Sequence, residues 1–594
     1  MADQQPLNRL GDFLRDERQW YQLPQLFAMV RLIEIRNELR AKNLVDTEEP
    51  ALPVGPIPPN LDPALTKYRT LDGTYDDLTC PPMGAANRRF GRNVPLEFAF
   101  PDKDNLFVPN PRVVSRELMT RDTFKPATIL NLLAAAWIQF MVHDWFVHKR
   151  SAPPDGIDIP LPPGDDWSDA TMRVPRSVPD AAPAGSTRPP AYSNPNSHWW
   201  DASQVYGCEK ALCDSLRSLS GGKLKILPSG LLPLEPGSGI DHTGFTDNWW
   251  IGLAMLHTLF AREHNYLCDQ LASKHPTWTD EQLYETAKLI NSAMIAKIHT
   301  IEWTPAILPN PITKLAMHVN WSGVVDEDLA QIFKFICEDE LLGGIVGSHA
   351  EQFGAPYSLT EEFVAVYRMH ALIPDEVVFL SSKTTKELER QELPDIAGRK
   401  TRPVLERISL TDLFYSFAMA HPGAVTLHNY PKHLQNLTRD DGEHFDLAAV
   451  DILRDRERGV PRYNKFRELV HKPPVKSFEE LTDNPVWREE LRRVYNNDID
   501  KVDLMTGLYA EPLPEGFGFS DTAFRIFILM ASRRLKSDRF FTDDFTPEIY
   551  TQFGIDYIKN TTMVSIISRQ LPDLAPMLKG VDNAFAPWTP APKP

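Results

Sequence analysis

Two polar side chains interrupt an otherwise apolar stretch of this sequence, and their types suit proton transfer. The stretch AAAWIQFMVHDWFVHK at 134–149 lacks Gly and Pro, so it predicts a buried helix. Gln139 and His143 then share one helical face, and Asp144 lies about 100° further around the axis. A buried histidine beside an amide can take a proton from a peroxide and return it to the departing oxygen. The alternative is a core histidine satisfied by a backbone carbonyl.

A second apolar stretch carries a tyrosine and a histidine. The sequence EEFVAVYRMHALIPD at 361–375 places Tyr367 and His370 three residues apart, which predicts one helical face. Two histidines on separate apolar helices suggest a haem between them, with one imidazole on the iron and the other on the open face. A tyrosine one turn from the ligand would lie at the haem edge, where it can be oxidised to a radical. Hydrogen-bonded core residues remain the alternative for both side chains.

Oxygen donors cluster after a long loop rich in Pro, Asp and Ser at 151–196. The motif NSHWWDASQVYG follows, and in it Ser197, Asp201 and Ser203 alternate within seven residues. Together with Asp144 they could form the all-oxygen cage that calcium prefers. Short Ser and Asp clusters are usually solvated turns, so this pattern alone indicates a metal only weakly.

The elements that would position these groups are helices. Apolar periodicity at 249–269, 290–303 and 521–539 predicts three more, the second with His299 on its apolar side. An amphipathic pattern at 19–42 predicts a helix that packs on the core or rests at a membrane surface. No strand pattern of any length competes with these helices, so the predicted class is mainly α.

Composition narrows the class of protein. The 594 residues are 42% hydrophobic and 24% charged, as in soluble globular proteins, and the net charge of −17 argues against nucleic acid binding. Five scattered cysteines without a C-x-x-C pair indicate neither a disulfide framework nor a thiolate metal site. Because signal-peptide and membrane-spanning patterns are missing, we expect a cytoplasmic monomer that touches membranes, if at all, through residues 19–42.

Seven motifs, in order, resemble the haem peroxidase–cyclooxygenase superfamily and most closely its fatty acid α-dioxygenases. They are WIQFMVHDW (137–145), HWWDAS (198–203), AREHN (261–265), AKIHTIEWT (296–304), VYRMHALIPD (366–375), RDRERGVPRYNKFRE (454–468) and MASRRLKSDRFF (530–541). The resemblance implies one large, mainly helical haem-peroxidase-like domain at 116–594, with the haem between core helices and few or no strands. Residues 1–115 would add amphipathic helices and a Pro-rich wrapping segment.

The same resemblance implies roles for residues around the haem. His370 would be the proximal ligand of the haem iron, with Asn429 as its hydrogen-bond partner. His143 would be the distal histidine and Gln139 its neighbour. Tyr367 would carry the catalytic tyrosyl radical.

Two further sites follow from the resemblance. Calcium would be bound by Asp144, Ser197, the backbone carbonyl of Trp199, Asp201 and Ser203. His299, Thr304 and Arg534 match the residues that hold the fatty acid carboxylate. Val142 stands where mammalian peroxidases carry the Asp that esterifies the haem, so haem b is expected to be bound non-covalently.

The predicted reaction depends on where the carboxylate is held. An Arg fork pairs a buried carboxylate through two charge-assisted hydrogen bonds. A head group deep in the channel, beside Tyr367, would bring the α carbon to the radical, and O2 would then give a 2-hydroperoxy acid. We therefore predict a haem-dependent fatty acid α-dioxygenase that uses a long-chain fatty acid, O2 and a priming peroxide. The alternatives are a general haem peroxidase that oxidises small phenols with hydrogen peroxide, and a non-catalytic haem- or lipid-binding protein.

Overall fold

The computed structural model describes residues 19–323, 343–439 and 442–588, apart from the side chain of Leu26, and helices dominate it. Its α-helices of seven or more residues are, in chain order, α1 Gln25–Lys42, α2 Leu132–Trp145, α3 Lys210–Leu216, α4 Ile251–Lys274, α5 Asp280–Ile298, α6 Pro311–Ser322, α7 Thr401–Arg407, α8 Leu410–Met419, α9 Leu447–Glu457, α10 Tyr463–Leu469, α11 Pro485–Val494, α12 Leu504–Ala510, α13 Asp521–Lys536, α14 Pro547–Asn560 and α15 Met563–Gln570.

Strands are short and pair only as two-stranded antiparallel ribbons in the described part of the chain. The ribbons are β1 Arg88–Arg89 with β4 Ser193–Asn194, β2 Ile157–Pro160 with β3 Thr171–Val174, β5 Glu376–Leu380 with β6 Glu387–Glu392, and β7 Leu437–Thr438 with β8 His444–Phe445. None of these ribbons organises the core. The prediction of a single large, mainly helical fold with few strands is confirmed.

Helix α2 lies at the centre of the core. Twelve of its fourteen residues are buried, as its apolar sequence requires, and it packs against α4, α8 and the short helix Ser203–Tyr206. The helix ends at Trp145 because Phe146 adopts an extended conformation. The predicted helix over 134–149 is therefore present, but it begins and ends earlier in the sequence. Gln139 and His143, one turn apart, share a face as predicted.

Helix α5 changes to a π-helical turn at its end. The turn His299–Trp303 follows α5 directly and leads into the short helix Thr304–Ile307. The backbone N–H and the hydroxyl of Thr304 both donate to the carbonyl of His299, the hydroxyl at 2.9 Å. Such single wide turns occur frequently at functional sites, because they shift the direction of side chains along a helix.

The stretch at 361–375 is not one helix, so that prediction was wrong. The helix Glu361–Val366 ends before Tyr367, whose φ of −85° and ψ of 8° leave the helical region. A separate 3₁₀ turn then begins at His370 and ends at Leu372. Tyr367 and His370 therefore do not share a helical face, although both lie beside the core.

The N-terminal helix packs into the same core. α1 contacts α6 and α13, and Val30, Ile33 and Leu39 on it are buried. Trp20 extends this contact, because its indole Nε1 donates to Asp521 at 2.8 Å. The apolar face of this segment is thus directed at protein. A division of the chain at residue 115 stays a prediction, since described residues on both sides share one core. None of the described helices combines the length and apolar composition needed to cross a bilayer.

Candidate active site

His370 is oriented by a buried carboxylate. Its Nδ1 lies 2.8 Å from Oδ2 of Asp451 in α9. Tyr430 donates to the same oxygen at 3.0 Å, and Arg368 donates to Oδ1 at 2.5 Å. Burial by itself would raise the pKa of Asp451, but His370 and Arg368 outweigh it and lower that pKa to about 2. The ionised carboxylate favours a proton on Nδ1 of the imidazole, which leaves Nε2 with the lone pair that a metal needs.

Asn429 is engaged elsewhere, so its prediction as the partner of His370 was wrong. Its Oδ1 accepts hydrogen bonds from Arg121 Nε and from the backbone of Lys125, both at 3.0 Å. Its Nδ2 donates to two backbone carbonyls at 2.8 and 2.9 Å. Because the amide is fully used in fixing local loops, Asp451 takes the predicted role. A lone carboxylate in the apolar run LAAVDIL, just ahead of RDRERG, was the sequence signal for it.

His143 and Gln139 provide a neutral imidazole and an oriented amide. Burial lowers the pKa of His143 to about 3, so the ring is neutral near pH 7 and can accept a proton. Its Nδ1 has no hydrogen-bond partner among the residues described. The Oε1 of Gln139 accepts from the indole of Trp250 at 2.7 Å, and its Nε2 donates to the carbonyl of Asn248 at 3.2 Å.

The two histidines have the chemistry that a haem requires. A proximal ligand needs one free nitrogen and an oriented ring, and Asp451 gives His370 both. A distal histidine must be neutral to act as a base, which burial ensures for His143. The neighbouring Val142 carries no group that could form an ester. These residues therefore fit a haem.

Tyr367 lies among aromatic rings. Its ring centre is 4.3 Å from that of Phe527, 4.6 Å from that of Phe363 and 5.0 Å from that of Trp145. Burial raises the pKa of Tyr367 far above its ordinary value, although the charge of Arg534 opposes this in part. The phenol is therefore protonated at physiological pH and carries a hydrogen atom that an oxidant can remove.

Arg534 is a buried cation without a carboxylate partner in the described part of the chain. Its guanidinium carbon lies 4.5 Å from the ring centre of Trp145 and 4.4 Å from that of Trp200. Both its Nε and its Nη2 are buried without a hydrogen-bond partner. Buried polar groups are almost always paired, and the guanidinium fork matches a carboxylate. Arg534 is therefore poised to bind an anion.

His299 contacts the same two indoles as Arg534, those of Trp145 and Trp200, and the indole of Trp137 fixes the position of its ring proton. Trp137 Nε1 donates to Nδ1 of His299 at 3.2 Å. An indole nitrogen can only donate, so Nδ1 must be unprotonated and the ring proton must be on Nε2. Burial, and then the charge of Arg534, lower the pKa of His299 well below its ordinary value. The imidazole is therefore neutral and offers one N–H donor. We call His299 and Arg534 the clamp.

Thr304 makes a different contact from the one predicted. Its hydroxyl already donates to the carbonyl of His299 at 2.9 Å and so supports the π-helical turn. In this rotamer the hydroxyl has no proton left for a carboxylate. The structure places Thr304 directly behind the clamp, and its predicted contact with a carboxylate stays a prediction.

Trp145 links the clamp to the tyrosine. Its ring centre is 5.0 Å from that of Tyr367, 5.1 Å from that of His299 and 4.5 Å from the guanidinium carbon of Arg534. One indole therefore contacts both the residue suited to radical chemistry and the two residues suited to hold an anion. A carboxylate in the clamp would lie about one aromatic ring from Tyr367.

The predicted calcium residues form a buried oxygen cluster. The backbone N–H of Ser203 donates to Asp144 at 2.6 Å and to Asp201 at 3.1 Å. The second carboxylate oxygen of each aspartate is buried without a partner. Burial raises the pKa of Asp144 to about 6; burial and repulsion by Asp144 raise that of Asp201 to about 7. The charge of Arg534 opposes the rise at Asp144, and that of Arg69 opposes it at Asp201, so a metal ion would add to positive charge already near the pair.

Oxygens from neutral groups would have to complete any metal site here. Within the described residues no three or more His, Cys, Asp and Glu side chains are grouped around a metal position. Ser197 Oγ accepts from the backbone N–H of Trp199 at 3.1 Å, which keeps lone pairs available on the hydroxyl. The donor set fits an oxygen-preferring cation, as predicted for calcium.

Four residues of this site escaped the sequence reasoning: Asp451, Trp137, Trp145 and Trp200. The three tryptophans stood inside the quoted motifs, but their spacing predicts burial and does not say which side chain each would contact. Their roles depend on how α2 and the loop at Trp200 meet the π-helical turn and α13, which tertiary packing decides.

Comparisons with known proteins agree with this geometry. The model of the animal haem peroxidase family matches residues 68–581. Alpha-dioxygenase PIOX of Oryza sativa subsp. japonica is 37% identical over 592 residues, covering 96% of this chain and 93% of that protein. Alpha-dioxygenase 1 of Arabidopsis thaliana is 35% identical over 602 residues, covering 96% and 90%. Oryza sativa fatty acid alpha-dioxygenase, solved as a Tyr-to-Phe variant with palmitic acid, superimposes with a TM-score of 0.90 at 36% identity, covering 98% and 96%.

Proposed function

Because the chain belongs to the animal haem peroxidase family, and there to the alpha-dioxygenases, we propose that it is a haem-dependent fatty acid α-dioxygenase. It oxidises the α carbon of a long-chain fatty acid and adds O2 to give a 2-hydroperoxy acid. One observation carries the choice of carbon: Arg534 and Tyr367 contact the same indole, that of Trp145.

The clamp would hold the carboxylate. Moving a carboxylate out of water is costly, and an unpaired buried charge is strongly disfavoured. Arg534 offers Nε and Nη2, and His299 offers Nε2–H, so the carboxylate can gain three donors at once. Hydrogen bonds to charged groups contribute about 1.5–3 kcal/mol each. A fatty alcohol cannot recover this energy, so the site selects for the acid.

Regiochemistry follows from the short distance between the clamp and Tyr367. With the carboxylate one aromatic ring away, the carbon next to it is the first that can reach the phenol oxygen. Attack at a mid-chain carbon would require the head group to be held many bonds farther from the tyrosine.

The catalytic steps rest on Tyr367. The haem, when bound, supplies the one-electron oxidation that converts this phenol to a phenoxyl radical. Tyr367 then takes a hydrogen atom from the α carbon, and O2 adds to the carbon radical. Return of the hydrogen atom from Tyr367 to the peroxyl group gives the hydroperoxide and regenerates the phenoxyl radical. The surrounding aromatic rings exclude water from these steps.

His370 and His143 would hold and serve the haem, which we propose is haem b bound non-covalently. Asp451 orients the imidazole of His370 and favours a proton on Nδ1, so Nε2 would offer its lone pair to the haem iron. The neutral His143 takes a proton from the priming peroxide and returns it to the leaving oxygen, and Gln139 steadies that oxygen with its free N–H.

We further propose that calcium binds between Asp144 and Asp201. Its supporting observation is the pair of buried, unpartnered carboxylate oxygens. Ser197, Ser203 and the carbonyl of Trp199 would complete the shell. Removal of calcium with a chelator should lower the melting temperature, and added calcium should restore it. In an Asp201→Asn variant this response to calcium should be largely lost; an undiminished response would contradict the assignment.

Membrane contact through residues 19–42 would need apolar side chains on the surface of that segment. Burial of Val30, Ile33 and Leu39 removes most of the apolar surface that such contact needs. We expect the protein, a monomer, to float poorly with liposomes.

Oxygen uptake tests the proposed function. Haem-loaded protein with a C12 to C18 fatty acid and trace peroxide should consume O2 far in excess of the peroxide added. The corresponding fatty alcohol should give little uptake. Oxidation of a phenol at the expense of peroxide, with no fatty-acid-dependent uptake, would instead indicate a general haem peroxidase.

A further inference from the structure

The indole that contacts Tyr367, and a second indole that contacts the first, are potential sinks for its oxidising equivalent. The ring of Trp145 lies 5.0 Å from that of Tyr367 at an angle of 78°. The ring of Trp200 lies 6.0 Å from that of Trp145. Tyrosine and tryptophan are the two side chains that proteins oxidise most readily by one electron. An oxidised Tyr367 therefore has a contact path along which the radical could be lost to both indoles.

A single cation covers both indoles. The guanidinium carbon of Arg534 lies 4.5 Å from the ring centre of Trp145 and 4.4 Å from that of Trp200. A cation over a neutral ring is attracted by the ring quadrupole. Once the ring has lost an electron, the same arrangement brings two positive charges together in a medium of low dielectric constant. Arg534 therefore makes oxidation of either indole less favourable.

The Nε1 protons of the two indoles also have no hydrogen-bond acceptor among the described residues. Transfer of one electron from Trp145 would reduce the phenoxyl oxygen of Tyr367 to a phenolate and leave an indole cation radical. That cation would be relieved by loss of its Nε1 proton to an acceptor. Nε1 of Trp145 and Nε1 of Trp200 are both buried without a hydrogen-bond partner in the described residues. The positive charge would thus stay on the ring, directly beneath Arg534.

We propose that Arg534 confines the oxidising equivalent to Tyr367, in addition to holding the substrate carboxylate. This role rests on the proposed function, because it presupposes a radical on Tyr367. This role explains how Tyr367 can carry a radical although it packs against an oxidisable indole, that of Trp145. It also assigns to one guanidinium two tasks: binding the fatty acid and, before the fatty acid arrives, protecting the enzyme from oxidising itself.

The test uses holoenzyme treated with peroxide in the absence of fatty acid. Electron paramagnetic resonance of freeze-quenched samples identifies the radical, and peptide mass spectrometry locates oxygenated tryptophan. Wild-type protein should show a tyrosyl signal. Arg534→Met should show a tryptophanyl component, with at least fivefold more oxidation at Trp145 and Trp200 than wild type. Trp303, which is buried beside His299, serves as the internal reference.

Three variants separate this role from general damage. Arg533→Met removes the neighbouring buried arginine, whose guanidinium lies over the ring of Tyr357 and not over the two indoles. This variant should show the same tyrosyl signal as wild type. Arg534→Lys keeps the positive charge and should keep most of the protection of the two indoles against oxidation. This variant still tests the role of the charge if Arg534→Met binds haem poorly. Trp145→Phe added to Arg534→Met should restore a purely tyrosyl signal.

The outcomes distinguish the two proposals. If Arg534→Met shows only a tyrosyl signal, and its Trp145 and Trp200 are oxidised no more than in wild type, the protective role is wrong. The dioxygenase proposal would not be affected by that result. If wild-type protein forms no radical on Tyr367, the proposed function fails first and this inference fails with it.

Discussion

Two arginines of this protein, one partly buried and one fully buried, have opposite surroundings. Arg368, beside His370, is matched by carboxylates: it donates to Asp451 at 2.5 Å and to Asp455 at 3.1 Å. Arg534, in the clamp, has aromatic rings on its faces and two donors without partners. In the first cluster the guanidinium is paired with two carboxylates, and one of these, Asp451, lies 2.8 Å from the imidazole of His370. The second has two unpaired donors, and for this reason we propose it as the place where the substrate's head group binds.

The contrast also separates two kinds of contribution to catalysis. The cluster around His370 should tune and hold a cofactor, whereas the clamp should act on the substrate and on the site of the radical. Substitutions in the two regions should therefore change different measured quantities. The predictions below run from the largest expected effect to the smallest.

Tyr367→Phe removes the residue that joins the two regions. We expect fatty-acid-dependent O2 uptake to fall by a factor of about 1,000 or more, since the phenol oxygen that takes the hydrogen atom is lost. The haem spectrum and the oxidation of phenols should persist, because neither His370 nor His143 is altered. Substantial uptake in this variant would show that another residue carries the radical.

Arg534→Met should act on substrate binding. Loss of charge-assisted hydrogen bonds worth about 3 kcal/mol corresponds to an increase of roughly 100-fold in KM for a fatty acid. The matched control is Arg533→Met, in the adjacent position, where the guanidinium donates to the carbonyls of Ala355 and Pro356. That variant should lose stability without a comparable change in KM. Equal KM values for Arg534→Met and wild type would show that Arg534 does not hold the substrate carboxylate.

Asp451→Asn should act on the cofactor. Substitution of a residue that orients a metal ligand typically costs 10–100-fold in affinity or activity. Because a negative charge beside His370 is lost, we also expect the haem reduction potential to rise. The KM for fatty acid should stay within about twofold of wild type, because Asp451 does not contact the clamp residues His299 and Arg534. A large rise in KM with an unchanged potential would mean that the two regions are not separate.

Trp137→Phe should weaken the clamp by a smaller amount. Without the indole donor, His299 can place its proton on Nδ1 and so present a lone pair to the carboxylate. We expect KM to rise about fivefold, since one hydrogen bond is partly lost. In a His299→Gln background, where no tautomer has to be set, the same substitution should have almost no further effect on KM. Equal effects in both backgrounds would indicate that Trp137 contributes packing only.

Sequence patterns predicted the parts of this site that are local. The apolar run around His143 determines a buried helix, and the helix alone places Gln139 beside it. The same reasoning failed at 361–375, where tertiary packing turns the chain at Tyr367 before a continuous helix can form.

Partners brought from distant segments were beyond the reach of sequence patterns. Asp451 is 81 positions beyond His370, and nothing in the spacing favours it over Asn429 until α9 is packed against the 3₁₀ turn. The indoles over Arg534 come from α2 and from the loop before the helix Ser203–Tyr206. Periodicity predicts that such residues are buried, but only the packed fold shows that they leave a cation unpaired.

The position of the new oxygen on the product tests the central claim most directly. Haem-loaded protein should be supplied with palmitic acid, O2 and trace peroxide, and the product reduced and analysed by mass spectrometry. If the clamp holds the carboxylate on the far side of the Trp145 indole from Tyr367, the enzyme forms the 2-hydroperoxy acid. After reduction, the 2-hydroxy acid is then the species detected. Oxygen at a mid-chain carbon would contradict the account, because it would require the carboxylate to be held far from Arg534.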